Sequence, residues 1–177
     1  MALITETGTG NVYAESYCSV EQANTHHTNF GNSDWNALST VAKEIALRKA
    51  TKYMLQTYRE RWAGYRLTAG QALDWPRTEV VRRDAPTTYG SSNGFMLTYY
   101  PDDSVPNEVV TACAEFALRS LSADLLADLD PVVASESVGP ITVSYFPGAS
   151  RIKKYTAIDR LLQPFLSGSN SLKVVRA

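Results

Sequence analysis

The clearest periodicity in the chain lies between residues 39 and 58. Val41, Ile45, Ala46, Ala50, Tyr53, Met54 and Thr57 recur at three- and four-residue spacing, with Lys43, Glu44, Arg48, Lys49 and Lys52 on the other side. Residues three and four apart share one helix face, so this pattern predicts an amphipathic helix of about five turns. Ser39 offers an N-cap hydroxyl, and the helix should end near Tyr58. Val109, Val110, Cys113, Phe116, Ala117, Leu121 and Leu125 form a second stripe, predicting a helix from Pro106 to about Leu126 that packs on the first. Proline loses nothing at such a start, because the first N–H groups of a helix have no internal partner. A polar helix is expected from Ser19 to about Phe30, with Ser19-Val20-Glu21-Gln22 in capping-box form and Gly31 as its stop. A last helix covers Thr156 to Leu166, turning Ile158, Leu161, Leu162, Phe165 and Leu166 inward, and Pro164 kinks or ends it.

The stretch from Arg59 to Pro106 reads differently. It holds Gly64, Gly70, Pro76, Pro86, Gly90, Gly94, Pro101 and Pro106, too much punctuation for a long helix. Glu79-Val80-Val81-Arg82 and Phe95-Met96-Leu97-Thr98-Tyr99 flank a turn cluster at 89–94, which predicts a projecting hairpin-like excursion over 78–100. From Val138 to Phe146 the chain alternates at Ile141, Val143 and Tyr145, the pattern of one short strand, and Pro140 and Pro147 confine it to an edge. Residues 167–177 begin as a flexible tail and end in apolar Leu172, Val174 and Val175. The fold class expected is mainly α: one domain over 1–177, a small bundle of about four helices, two of them long, with the excursion and a short strand added.

Composition narrows the function classes. A chain of 177 residues, 44% hydrophobic and 20% charged, suits one globular domain. The net charge of −1 lacks the basic surplus common in nucleic-acid binders, though a local patch stays open. Met1 to Glu6 shows no basic n-region or apolar run, and no stretch approaches the roughly 20 apolar residues of a membrane span, so folding in a cytoplasm is expected. Cys18 and Cys113 form no CxxC pattern and are expected to be reduced and buried.

Catalytic chemistry is hard to find. His26 and His27 are adjacent, about 100° apart on a helix, which does not suit joint chelation of a metal. Gly8-Thr9-Gly10 is too short for a phosphate loop, Asp124, Asp128 and Asp130 lack calcium-loop spacing, and no GxSxG elbow occurs. The expectation is a protein that is not an enzyme and carries no cofactor or metal. Arg77, Arg82 and Arg83, and separately Arg151, Lys153 and Lys154, cluster modestly, with Tyr89, Tyr99, Tyr100 and Tyr155 nearby in sequence. Such groups bind single strands by phosphate contact and base stacking, or equally form protein interfaces. The near-zero charge favours the interface. Trp62-Ala63-Gly64 and Gln71-Ala72-Leu73-Asp74-Trp75-Pro76-Arg77 place two tryptophans in an irregular loop, where they should fold back on the long helix and plug one end of the core. Arg77 follows the rigid Trp75-Pro76 step, so it should stack on an indole or pair with an acid from a neighbouring chain.

At these residues the chain resembles a family of tailed-phage neck proteins. The segment from Gly8-Thr9-Gly10 to Ala14-Glu15-Ser16-Tyr17-Cys18-Ser19-Val20-Glu21-Gln22-Ala23 carries the resemblance. It continues through Trp35, Ala46-Leu47-Arg48-Lys49-Ala50-Thr51, Trp62-x-Gly64, Gln71-x-Leu73-x-Trp75-Pro76-Arg77, Val105-Pro106 and Val138-Gly139-Pro140 with Tyr145. Members resemble head–tail connector proteins, and some are labelled DnaT-like single-stranded DNA-binding proteins. The resemblance implies a virion protein of the phage neck, assembled in the host cytoplasm as a ring of about twelve copies. Its partners would be itself, the portal protein and the next neck or tail protein, with double-stranded DNA passing through the channel without sequence-specific contact. Interface elements are then expected in the excursion and tail: Arg77, Arg82, Arg83, Tyr89, Phe95, Tyr99, Leu172, Val174 and Val175. Trp62, Gly64, Gln71, Trp75 and Pro76 would be its structural motif. The alternative function is a DnaT-like, single-stranded DNA-binding accessory of replication.

Overall fold

The computed structural model describes residues 2–85, 88–89, 95–126, 135–138, 141–144 and 153–167. Its helices are α1 (Val20–Asn29), α2 (Ser33–Asn36), α3 (Thr40–Tyr58), α4 (Asn107–Arg119) and α5 (Thr156–Leu162), the last continued by a 3₁₀ turn at Gln163–Phe165. Three two-stranded antiparallel pairs accompany them among the described residues: β1 (Tyr65–Arg66) with β2 (Arg77–Thr78), β3 (Thr88–Tyr89) with β4 (Phe95–Met96), and β5 (Ser135–Val138) with β6 (Ile141–Ser144). The architecture is a small helical bundle with added hairpins. None of its helices is long and apolar enough to cross a membrane, among the described residues.

Local chemistry sets the helix ends. The Ser19 hydroxyl accepts from the Gln22 N–H while the Gln22 side chain accepts from the Ser19 N–H, so α1 starts with a complete capping box. Gly31, at φ +71°, turns the chain back after it. The Ser39 hydroxyl caps α3 through the Ala42 N–H. Pro106 precedes α4 as expected, but α4 ends at Arg119 and not near Leu126. The hydroxyls of Ser120 and Ser122 donate to the carbonyls of Ala117 and Arg119, competing for the groups a further turn would need, and Leu121 and Leu126 are left exposed. Pro164 converts the end of the last helix to the 3₁₀ turn.

The inward face of α3 differs from the expected stripe. Ala46, Ala50, Tyr53 and Met54 of that stripe are buried, but Val41 and Ile45 are exposed and Lys43, Leu47, Thr51 and Tyr58 are buried as well. The cause is α2, which the sequence pattern did not announce. It buries Trp35 beside the first turns of α3, with the indole N–H donating to Asn24 Oδ1 at 2.9 Å, and the Lys43 ammonium lies 5.8 Å from the ring centroid. The lysine stem covers the indole and α3 is rotated accordingly. Small residues at the α3–α4 crossing let the helices approach closely: the Cys113 sulfur is 3.4 Å from Thr51 Oγ1, and the Tyr53 and Phe116 ring centroids are 4.7 Å apart. Cys18 and Cys113 are free, buried thiols. α5 closes the other side of this layer, with Tyr58 donating to Asp159 Oδ1 at 2.6 Å.

The expected single strand from Val138 to Phe146 is a hairpin. Ile141 to Ser144 pairs with Ser135 to Val138, in the register Val138↔Ile141 and Ser135↔Ser144, while Pro140, Tyr145, Phe146 and Pro147 lie outside the described residues. The 78–100 excursion is also a hairpin, with Tyr89 opposite Phe95 and its base tied by the Arg82 N–H to the Thr98 carbonyl and the Tyr100 N–H to the Val80 carbonyl.

Candidate nucleic-acid interface

After α3 the chain folds into a buried knot. Tyr58 and Trp62 rings lie 5.7 Å apart, Trp62 meets Trp75 edge-on at 5.8 Å, and Trp75 meets Phe165 edge-on at 5.6 Å. Both tryptophans therefore plug the end of the core as expected. Gly64 has φ +64°, and a β-carbon there would lie 2.2 Å from the Thr78 carbonyl oxygen, so only glycine fits beside β2. The Gln71 amide donates to the carbonyls of Leu73 and Pro76 and its oxygen accepts from the Thr68 N–H, bracing the cis Trp75-Pro76 step.

Arg77 sits inside this knot. Its Nε donates to the Ala63 carbonyl at 2.7 Å, Nη2 to Gly64 at 2.7 Å and Nη1 to Asp74 at 3.1 Å. It is buried, so the expectation of an interface residue reaching a neighbouring chain or stacking on an indole is corrected: three main-chain carbonyls of its own loop absorb its donors. The Asp74 side chain, 1% exposed, accepts from Arg59 Nε at 3.0 Å, with Arg66 at 3.7 Å. The Asp74 N–H donates to the Tyr17 hydroxyl, and burial, then the nearby Asp74 carboxylate, push that phenol well above the usual tyrosine range. The knot thus ties the N-terminal segment, the long loop and α5 together.

The remaining expected site residues separate into two places. At the base of the excursion the Arg82 guanidinium lies 5.2 Å from the Tyr100 ring centroid and its Nε 3.7 Å from Asp84 Oδ1. Arg83 is exposed beside it, Tyr99 is 48% exposed, and Leu97 is exposed too. Tyr89 and Phe95 are paired in the β3–β4 backbone register. At the second cluster the Lys153 ammonium lies 5.5 Å from the Tyr155 ring. Tyr155 is buried against Tyr53 and Phe116, at 5.8 and 5.4 Å, so little of its ring is open to solvent. Lys154 is exposed. Arg151, Leu172, Val174 and Val175 lie outside the described residues. Sequence reasoning passed over the exposed side of α3, where Lys49, Lys52 and Gln56 border two grooves. Their three- and four-residue spacing was the available signal.

Two other motifs resolve into structure. The N–H groups of Gly8, Thr9 and Gly10 all donate to Glu6 Oε1 and that of Asn11 to Oε2, so this glycine loop cradles the chain's own buried carboxylate. His26, His27 and Glu115 come together, with their ligand-type atoms within 4.8 Å of one another. Yet His26 Nε2 lies 2.8 Å from Glu115 Oε1, and both His27 nitrogens are engaged, Nε2 donating to the Ala114 carbonyl and Nδ1 accepting from the Asn32 amide. The adjacent histidines thus meet across α1 and α4, each with a protein partner.

A family model described as "Putative DnaT-like ssDNA binding protein" matches residues 1–177. The chain belongs to this family. The match overturns the expectation of a portal-to-tail connector ring in the phage neck: the family's description agrees with the reading held as the alternative, and nothing in the comparisons points to a portal, neck or virion protein. No curated protein and no solved structure matches the chain.

Proposed function

We propose that the protein binds single-stranded DNA. The membership of residues 1–177 in a DnaT-like family described as binding single strands carries this reading. The base of the excursion supports it: half-exposed Tyr99 with Leu97 offers a stacking surface, and Arg82 and Arg83 stand ready for phosphates beside it. Every base has a π-face and every nucleotide a phosphate, so such a surface binds strands with little sequence preference. The formal charge of −1 confines the electrostatic attraction to local patches and predicts moderate affinity. The activity is binding, with no bond made or broken.

Fluorescence anisotropy of a labelled oligothymidine, titrated with the full chain across a salt series, tests the reading. The single strand should bind more tightly than a duplex of equal length, with affinity falling as salt rises. Absence of single-strand binding at low salt overturns it.

A further inference from the structure

We propose that the exposed ridge of α3 is a phosphate track, on which Lys49, Lys52 and Arg61 hold the backbone of a bound single strand with the Gln56 amide between them. The proposal rests on the single-strand reading above and adds to it a second surface, separate from the excursion.

The first observation is how the cations of this region are used. Arg48 pairs with Glu15 and Glu44, Arg59 and Arg66 converge on Asp74, Arg119 pairs with Glu115, and Arg77 is saturated by carbonyls. Lys49 and Lys52 are exposed and make no ion pair among the described residues. The Arg61 guanidinium lies 5.2 Å from the Tyr58 ring centroid and makes no ion pair among the described residues. Lys49, Lys52 and Arg61 are thus three cations outside the ion pairs of this region, on α3 and just past its end.

The second observation is the shape around them. One groove, between α3 and the end of α4, is lined by Lys49, Lys52, Tyr53, Gln56, Ser120 and Leu125 among others. Another, toward the end of α3, is lined by Lys52, Leu55, Gln56, Arg59 and Arg61 among others. Lys52 and Gln56 line both, so the two grooves adjoin along the ridge. From Lys49 to the end of α3 at Tyr58 the helix rises about 13.5 Å, a length along which a strand's backbone can run. Each groove also holds a carboxylate, Asp124 in the first and Glu60 in the second, and neither pairs with the lysines among the described residues. They temper the field without neutralising it. Tyr53 is only 8% exposed and offers no stacking face, so the contact proposed is to the backbone.

The test is the same anisotropy salt series on the full chain, comparing the Lys49→Gln/Lys52→Gln double variant with wild type. Both lysines are exposed and glutamine is a good helix former, so thermal unfolding should be unchanged. Each lost phosphate contact on a single strand lowers the log–log salt slope by about 0.7, so the pair should lower it by about 1.4 and weaken binding about 25-fold in roughly 0.1 M salt. The Lys49→Arg/Lys52→Arg variant should restore the slope. If wild type binds and the glutamine variant keeps its slope and affinity, the ridge proposal is overturned while the single-strand reading stands. If wild type binds no single strand, the underlying reading itself has failed.

Discussion

The Nε of Arg77 donates to the carbonyl of Ala63 at 2.7 Å, across a turn that Gly64 makes at φ +64°. With its bonds to Gly64 and Asp74 this closes a loop in which one side chain satisfies three carbonyls. Arg77→Ala should therefore act on stability. It leaves those acceptors without a donor and empties a buried site, a loss of about 3–5 kcal/mol. Lysine, without the planar fork, should recover little of it. Urea denaturation of the two variants checks this, and a wild-type midpoint for Arg77→Ala would sink the structural assignment.

Acid should destabilise the α1–α4 contact in two stages. Burial lowers the pKa of His27 below the usual histidine range, against the opposing pull of its Ala114 hydrogen bond. The unfolded chain then takes up a proton first, so stability present above about pH 6.5 is lost as pH falls toward the folded value. For Glu115, burial pushes the pKa up, but the Arg119 and His26 hydrogen bonds outweigh it and the net shift is downward. Its contribution is present above about pH 4.3 and is lost as pH falls through the lower folded value. Melting temperatures across pH 3–7 should fall in both windows, and His27→Gln should flatten the upper one. Wild-type melting that does not change between pH 7 and 5 would contradict the His27 assignment.

Tyr99 tests the excursion as a binding surface. A stacked aromatic contributes about 1–3 kcal/mol per base to single-strand binding, so Tyr99→Ala should weaken oligothymidine binding by roughly 5- to 150-fold. The salt slope should stay near that of wild type, since no phosphate contact is removed. The side chain is half-exposed, so the fold should be retained. A changed slope with little change in affinity would assign Tyr99 a different role.

Much of the frame was legible in the chain. The capping box at Ser19, the Ser39 cap, the end of α3 at Tyr58, Pro106 before α4 and the break at Pro164 are local effects, set by side chains within a few residues of the backbone groups they serve. The burial of Trp62 and Trp75 was legible for a similar reason: two indoles in an irregular loop have few alternatives to the core. The connector reading of the same loop motifs rested on resemblance and did not survive the family match.

What only the tertiary structure decided concerns partners distant along the chain. Periodicity placed Val41 and Ile45 on the inward face of α3, but Trp35 buries itself beside Lys43 and both are exposed. Arg77 looked like a directed surface group until the backbone of Ala63 and Gly64 returned to meet it. His26 and Glu115 are 89 positions apart and meet only because α1 packs on α4. The candidate phosphate track has the same origin. Sequence supplied its lysines on a polar helix face, but which cations stay free depends on where the carboxylates of Glu15, Asp74 and Glu115 lie in space. Local capping and helix periodicity act over a turn or two and can be read from the chain, whereas charge pairing and face selection depend on distances that only folding sets.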